Sequence, residues 1–442
     1  MPRSFDLILR HGTVVNHDGI GLRDVGVRDG TIAEIGDLAT ADAAETIDAT
    51  GLHILPGVID SQVHFREPGN EHKEDLETGS RAAVMGGVTA VFEMPNTNPT
   101  TTSADALADK ITRAHHRMFC DFAFYMGGTR DNAHELPELE RLPGCAGVKV
   151  FAGSSTGSLL VEDDDGLAQI FANISRRAAF HSEDEFRLRE RLGEQREGDP
   201  SSHPEWRDVE AAVMCTERLL RLARDAGKRV HILHISTADE MQLLSRHKDV
   251  ATVEATPQHL TLAGPQAYER LGNLAQMNPP LRDEAHRAGI WWGLERGVVD
   301  VLGSDHAPHT LEEKSQPYPK SPSGMPGVQT LVPIMLDHVH NGRLTLERFV
   351  DLTSHGPGRI FQLAGKGRIA VGYDADFTVV DLARRETITN AQAQSRAGWT
   401  PFDGLEVTGW PIGTIIRGNR VVWDGEFLGA AQGEAVRFQE TL

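Results

Sequence analysis

Cysteine is scarce in this chain: Cys120, Cys145 and Cys215 are the only three in 442 residues, widely spaced and without a C-x-x-C pair. That excludes a disulfide scaffold, argues against a thiolate zinc site and fits reduced thiols. Long apolar runs are missing as well. No stretch reaches 18 apolar residues, and Met1-Pro-Arg-Ser-Phe-Asp-Leu7 lacks a charged-then-apolar leader pattern. No membrane partner is expected on that ground, and the expected location is cytoplasmic. Positive charge is also in deficit. Forty-four Lys and Arg stand against 64 Asp and Glu, a formal net charge of −20, which argues against nucleic acid or anionic lipid as a general partner. A small anionic substrate remains compatible, because a few local cations or a metal outweigh the surrounding field. There is no sequence repeat, no low-complexity tract and no glycine-rich nucleotide loop after the first strand.

What is present is ordinary globular composition, 39% hydrophobic and 24% charged, at a length that suits a large barrel plus a second module. The first ~50 residues read as short strands broken by turn signals: 6–10, 13–15, 25–28, a turn at Asp29-Gly30, then 31–35. The chain end is similar, with β-rich stretches at 374–381, 413–417 and 421–423. These two ends are expected to pack together as a small β-sandwich, comprising residues 1–53 and 366–442. The middle, 54–365, alternates apolar strands (88–94, 147–151, 178–181, 229–235, 251–255, 298–302) with amphipathic stretches. Examples of the latter are 104–117, opened by Thr102-x-x-Asp105 as a capping box, and 209–226, closed by Gly227. The alternation predicts an α/β fold, a (β/α)8 TIM-like barrel, over a doubly wound sheet. The charged segment 183–207 is expected to be a solvated excursion over one barrel end.

Polar residues fall where a barrel keeps its chemistry, at the C-terminal ends of strands. The first strand runs through Gln62 to His64 and Arg66, alternate positions that share a face. Later strands lead to Asn96, His181, His234, Glu254, Asn278, Asp305 and His309. One histidine at a strand end is ordinarily a hydrogen-bonded core residue; several in register are not. Lys149, in Gly-Val-Lys-Val-Phe, sits inside an apolar run. Burying its ammonium costs several kcal/mol, roughly, and lowers its pKa from about 10.4. A neutral amine there can take up carbon dioxide as a carbamate that bridges metals, whereas the plain alternative is a lysine that snorkels or pairs with an acid.

Seven blocks carry a family resemblance: Val63-His-Phe-Arg-Glu-Pro-Gly69, His72-Lys-Glu-Asp75, Met94-Pro-Asn-Thr97, Met277-Asn-Pro-Pro-Leu281, Gly303-Ser-Asp-His-Ala-Pro-His309, Met325-Pro-Gly327 and Gly398-Trp-Thr-Pro-Phe-Asp-Gly404. The chain resembles the dihydroorotases, cyclic amidohydrolases of the amidohydrolase superfamily, over essentially its whole length. The resemblance implies one or two zinc ions, bridged by carboxylated Lys149, with His181 and His234 at one site and His64 and Asp305 at the other. It implies that Arg66, Asn96 and His309 hold the carboxylate of dihydroorotate and that Asn278 contacts the ring. The implied reaction interconverts N-carbamoyl-L-aspartate and L-dihydroorotate in pyrimidine biosynthesis. A metal-bound hydroxide attacks the ring carbonyl, while Asp305 takes its proton and returns it to the leaving nitrogen. A homodimer is the implied assembly.

Position 62 departs from the pattern, which has histidine there; an amide is a neutral, poorer zinc donor, so the His64–Asp305 site is expected to hold metal more weakly. Two other readings stay open. One is an allantoinase- or hydantoinase-like enzyme, which has no ring carboxylate to hold and so gives Arg66 no purpose. The other is a non-catalytic partner of aspartate transcarbamoylase, disfavoured by the retained His64, Lys149, His181, His234 and Asp305. Gln258-His259 stands where the family more often has a His-His pair, so Glu254 and His259 are a further metal or supporting site only in outline. His231 is expected to be structural, His72 and Glu74 to brace a helix, His115-His116 to lie at the surface, and Trp291-Trp292 in a helix core. The loop 321–328 is expected to cover the site.

Overall fold

Eight consecutive parallel strands build the centre of the molecule. The computed structural model describes residues 5–154 and 159–441; Met1–Ser4, part of the stretch on which the absence of a leader was judged, lie outside them. Five strands come first, β1 (Phe5–Asn16), β2 (Gly19–Arg28), β3 (Thr31–Gly36), β4 (Ala43–Asp48) and β5 (His53–Pro56). The barrel strands follow: β6 (Val58–Val63), β7 (Val88–Glu93), β8 (Asp121–Gly127), β9 (Cys145–Phe151), β10 (Ala178–His181), β11 (Val230–Ile232), β12 (Ala251–Ala255) and β13 (Val301–Leu302). They pair in sequence order from β6 to β13. A parallel bridge between Val63 and His306, with the His64 amide donating to the His306 carbonyl at 2.7 Å, brings the two edges together. The result is a nearly closed TIM-like barrel.

The remaining strands are β14 (Phe377–Thr387), β15 (Glu406–Ile416), β16 (Asn419–Trp423) and β17 (Glu426–Phe427). With β1–β5 they form one nine-stranded mixed sheet, ordered β17-β16-β15-β14-β5-β1-β2-β3 with β4 beside β1. Both chain ends thus meet in one sheet, as the turn-rich termini predict, through the β5–β14 pairing.

The barrel strands are buried throughout, because helices cover their outer face and side chains fill the inside. Ile59, Phe92, Ala123, Tyr125 and Ala179 from the strands cluster with Ile360, Phe361, Leu363, Val436 and Phe438 from the chain's final third. Each large apolar side chain so buried contributes ~1.5–3 kcal/mol. Helix boundaries follow capping chemistry: Asp75 closes a capping box with Thr78 at the start of Leu76–Met85.

Several local expectations need correction. The cap of helix Ala104–Ala114 is Ser103, which accepts from the Ala106 amide, and Thr102 is not part of it. β4 and β8 have no counterpart among the strands expected from the sequence. The stretch before Asn278 is a 3-10 turn, Gly272–Ala275, where the sequence suggested a strand. Residues 183–207 are not simply solvated, since Glu183 and Arg207 at the two ends are buried and paired. Trp291 is buried, but Trp292 is half-buried. No helix among the described residues is long and apolar enough to cross a membrane.

Candidate active site

Gln62, His64, Lys149, His181, His234, Asn278 and Asp305 line one cavity at the C-terminal ends of the barrel strands, together with Ser323 and Gly324. Arg66, Asn96 and His309 line a neighbouring cavity of about 580 Å3 with Asn70, Lys73 and Pro322. Every site residue expected from the sequence therefore lies in one of two adjacent chambers. The strand-face argument holds for Gln62 and His64 but not for Arg66. Its backbone is left-handed (φ 65°), which turns the guanidinium away from the strand face and into the second chamber. His234 (φ 36°) and Asp305 (φ 44°) are left-handed as well. Backbone strain of this kind, at residues without the freedom of glycine, concentrates at functional sites.

The hydrogen bonds fix where the lone pairs point. His64 Nδ1 lies 2.8 Å from Asn96 Oδ1. An amide oxygen only accepts, so Nδ1 carries the proton and Nε2 presents a lone pair to Asp305 Oδ1 at 3.2 Å. Similarly, His181 Nε2 lies 2.8 Å from Glu183 Oε2, which makes it the protonated nitrogen. Its Nδ1 then offers a lone pair to His234 Nε2 at 3.1 Å, while His234 Nδ1 has no partner. The His64 Nε2 lone pair thus faces the Asp305 carboxylate, an arrangement a cation would relieve, and the buried His234 Nδ1 is left without a partner. Burial lowers the pKa of His64, His181 and His234, so all three are neutral at pH 7, the form that binds metals.

Lys149 is 1% exposed and its Nζ has no hydrogen-bond partner. Burial lowers its pKa to about 7, with Asp305 and Glu254 opposing the shift, so a large fraction is the free amine. Gln62 donates from Nε2 to Asp305 Oδ1 at 3.0 Å, which leaves Oε1 buried without a donor. Among the described residues no three His, Cys, Asp or Glu side chains converge as a metal cage. The donors come as two pairs, each short of a third ligand, with Lys149 lining the same cavity. The residues fit a metal provided that Lys149 supplies the missing oxygen.

In the second chamber Arg66 Nε donates to the Pro308 carbonyl at 3.1 Å, and Nη2 lies 3.3 Å from His309 Nε2. Burial lowers the Arg66 pKa to about 10, which still leaves a cation at pH 7. Lys73 Nζ lies 3.2 Å from His309 Nδ1 and can only donate to it. His309 Nε2 is therefore the protonated nitrogen and donates to the Ser323 carbonyl at 3.0 Å. Burial lowers the His309 pKa to about 3, and Arg66, Lys73 and Lys314 add to the shift. Asn278 Oδ1 accepts from His203 Nε2 at 2.9 Å.

Three supporting residues escaped the sequence reading. Glu183 sets the His181 tautomer and is clamped by Arg207; its place two residues after His181, on the same side of an extended chain, was the available signal. Lys73 polarises His309 from within the His72-Lys-Glu-Asp75 block. Lys314 is buried and donates to the carbonyls of Pro322 and Gly324, pinning the loop that lines both chambers. Glu254 and His259 do not form a further metal group. Glu254 accepts from Ser61 Oγ at 3.0 Å, and burial raises its pKa to about 8, so it is mostly protonated at pH 7. His259 is occupied by Thr256 and the Pro279 carbonyl. His231 is bonded to Thr252, and Glu74 braces Ser395, Arg396 and His306, both structural as expected. His72 lies outside the helix, exposed and paired with Glu313.

The Amidohydrolase family model matches residues 53–421, and the chain belongs to that family. It is 35% identical to a dihydroorotase of Methanosarcina mazei, over 97% of this chain and 96% of that one. It is 34% identical to an L-hydantoinase of Paenarthrobacter aurescens, over 96% of each. Among solved structures, the L-hydantoinase (dihydropyrimidinase) of Arthrobacter aurescens superposes with a TM-score of 0.93 at 32% identity, covering 98% of this chain and 99% of that one. The fold, the site and these relatives define a hydrolase of cyclic amides of dihydroorotase-like type.

Proposed function

We propose that the chain interconverts N-carbamoyl-L-aspartate and L-dihydroorotate with zinc held by His64, Asp305, His181, His234 and carboxylated Lys149. The observation that carries this reading is the His64 Nε2 lone pair set against the Asp305 carboxylate in one chamber, with the Arg66 guanidinium in the next. Bound zinc supplies a water of pKa about 7 and polarises the ring carbonyl. Arg66, with its planar fork, binds the ring carboxylate, with Asn96 and His309 beside it. Asn278 orients the ring over the first chamber. Asp305 takes the proton from the attacking water at its carboxylate and delivers it to the leaving ring nitrogen; in the reverse direction the same groups close the ring. Glu183 keeps His181 in the tautomer that presents Nδ1. In this reading residues 54–365 carry the reaction, and 1–53 with 366–442 form the supporting unit. The proposed setting is the cytoplasm and the proposed assembly a homodimer, with aspartate transcarbamoylase as a further candidate partner.

A second reading has its own support, since the superposed L-hydantoinase matches almost residue for residue in length. The choice rests on Arg66. Zinc per chain, measured on the same sample as the hydrolysis of dihydroorotate, hydantoin and allantoin, tests both readings. Turnover of dihydroorotate well above the other two is expected. Turnover of hydantoin or allantoin alone would reassign the substrate, and metal-free protein that stays inactive when zinc is supplied would remove the reaction.

A further inference from the structure

At the opposite end of the barrel, where β9, β10 and β11 begin, a cavity of about 360 Å3 is lined by Arg176, Arg177, Lys228 and Arg229 over a floor of Ala146, Ile360 and Phe361. Four cations around one cavity are unusual on a chain with a net charge of −20. Among the described residues the carboxylate lining it is Glu440, whose Oε2 stands 3.9 Å from Arg176 Nε. Two of the four cations have structural employment. Arg176 donates to the carbonyls of Glu140 and Cys145 and lies 4.4 Å over the Phe438 ring. Lys228 donates to the Ile174 carbonyl.

Arg177 and Arg229 have no such employment. Neither guanidinium makes a hydrogen bond or an ion pair with the described residues, and Arg177 Nε is buried without a partner. Burial lowers the Arg177 pKa to about 10, and repulsion from Arg229 and Arg359 adds to the shift against the pull of Asp300. Two guanidiniums in one cavity repel each other and leave fork-shaped donor sets unused, a geometry that matches phosphate oxygens. The apolar floor beside them suits a flat organic group. Phe361 packs edge-on against the His231 ring, with centroids 5.4 Å apart, so the floor is held rigidly.

We infer that this cavity is a binding site for an organic phosphate, with Arg177 and Arg229 holding the phosphate and Ile360 and Phe361 supporting the organic part. It is separate from the reaction chambers and independent of the reaction proposed above. Isothermal calorimetry on the full chain, with ADP and with inorganic phosphate as the probes, tests it. The expected result is saturable binding of ADP at one site per chain, weakened at least 10-fold in Arg177→Gln/Arg229→Gln, while that variant keeps its zinc content and its hydrolysis rate. Binding of ADP but not of phosphate would support the apolar floor as part of the site. Equal affinities for the two would support the arginines and remove the floor from the proposal. Absence of saturable binding to the native chain, or binding undiminished in the double variant, would overturn it. Arg229→Gln alone changes an exposed side chain, so if the double variant fails to fold, loss of ADP affinity in this single variant supplies the same readout.

Discussion

Gln62 stands in the first chamber where the resemblance implies a histidine, and its side chain is held by a hydrogen bond to Asp305. The amide donates to Asp305 and turns a bare oxygen into the cavity. A neutral oxygen remains a weaker zinc donor than imidazole. Gln62→His is expected to raise the zinc bound per chain at limiting metal, read by elemental analysis after dialysis; full occupancy in the native protein would contradict this. A second expectation concerns Glu183, whose carboxylate holds His181 in one tautomer. Glu183→Gln can orient the imidazole the other way, and loss of such an orienting partner typically costs 10–100-fold, roughly, in metal affinity or activity. Zinc affinity by competition with a chelator measures it. At this scale the sequence marked residues that line the cavity and missed those that hold them. His64, Lys149 and Asp305 stand out because they interrupt apolar text, whereas Glu183 lies in a charged run and is distinguished only by what folding places around it.

Among the elements, the joint between barrel and terminal sheet rests on a buried ion network that no local pattern foretold. Lys366 reaches Asp121 at the head of β8, Asp374, and Asp376 just before β14, while Arg417 after β15 also holds Asp121. Burial pushes the Asp121 carboxyl up, but the Lys366 ammonium and the Arg417 guanidinium outweigh it and hold the group below its ordinary range. A depressed carboxylate contributes stability that is fully present above its unfolded pKa of about 3.9 and is lost as pH falls through the folded value. Asp376 does not share this behaviour, since burial raises its pKa. Asp121→Asn leaves Lys366 and Arg417 short of a partner and is expected to cost about 3–5 kcal/mol at pH 7. The gap from the native protein should narrow below about pH 4, as read from urea unfolding at several pH values. A gap that stays constant into acid would place the cost in packing instead of charge. The alternation of strands and helices was legible because it is local; the missing β8 begins with this same Asp121, a charge that reads as a strand breaker until its partners arrive from residues 366 and 417.

Across the whole molecule the net charge of −20 is a repulsive load spread over many exposed acids. Raising the ionic strength from about 0.01 to 0.15 M shortens the screening length from about 30 to 8 Å and should relieve that load. A melting temperature that climbs by a few degrees over this range is expected in a thermal unfolding series; a fall would mean that attractive pairs dominate the surface field. Composition, strand periodicity and the seven sequence blocks were enough to indicate an α/β barrel with a small β unit built from both chain ends, because burial patterns and backbone turns are written within a few residues of one another. The division of the site into two chambers could not be read in that way. It depends on the left-handed turn at Arg66, on the tautomers that Asn96, Glu183 and Lys73 impose on three histidines, and on carbonyls held by Lys314. Each of these is a contact between residues distant in the chain or a backbone angle held by such contacts, and only the folded structure brings them together.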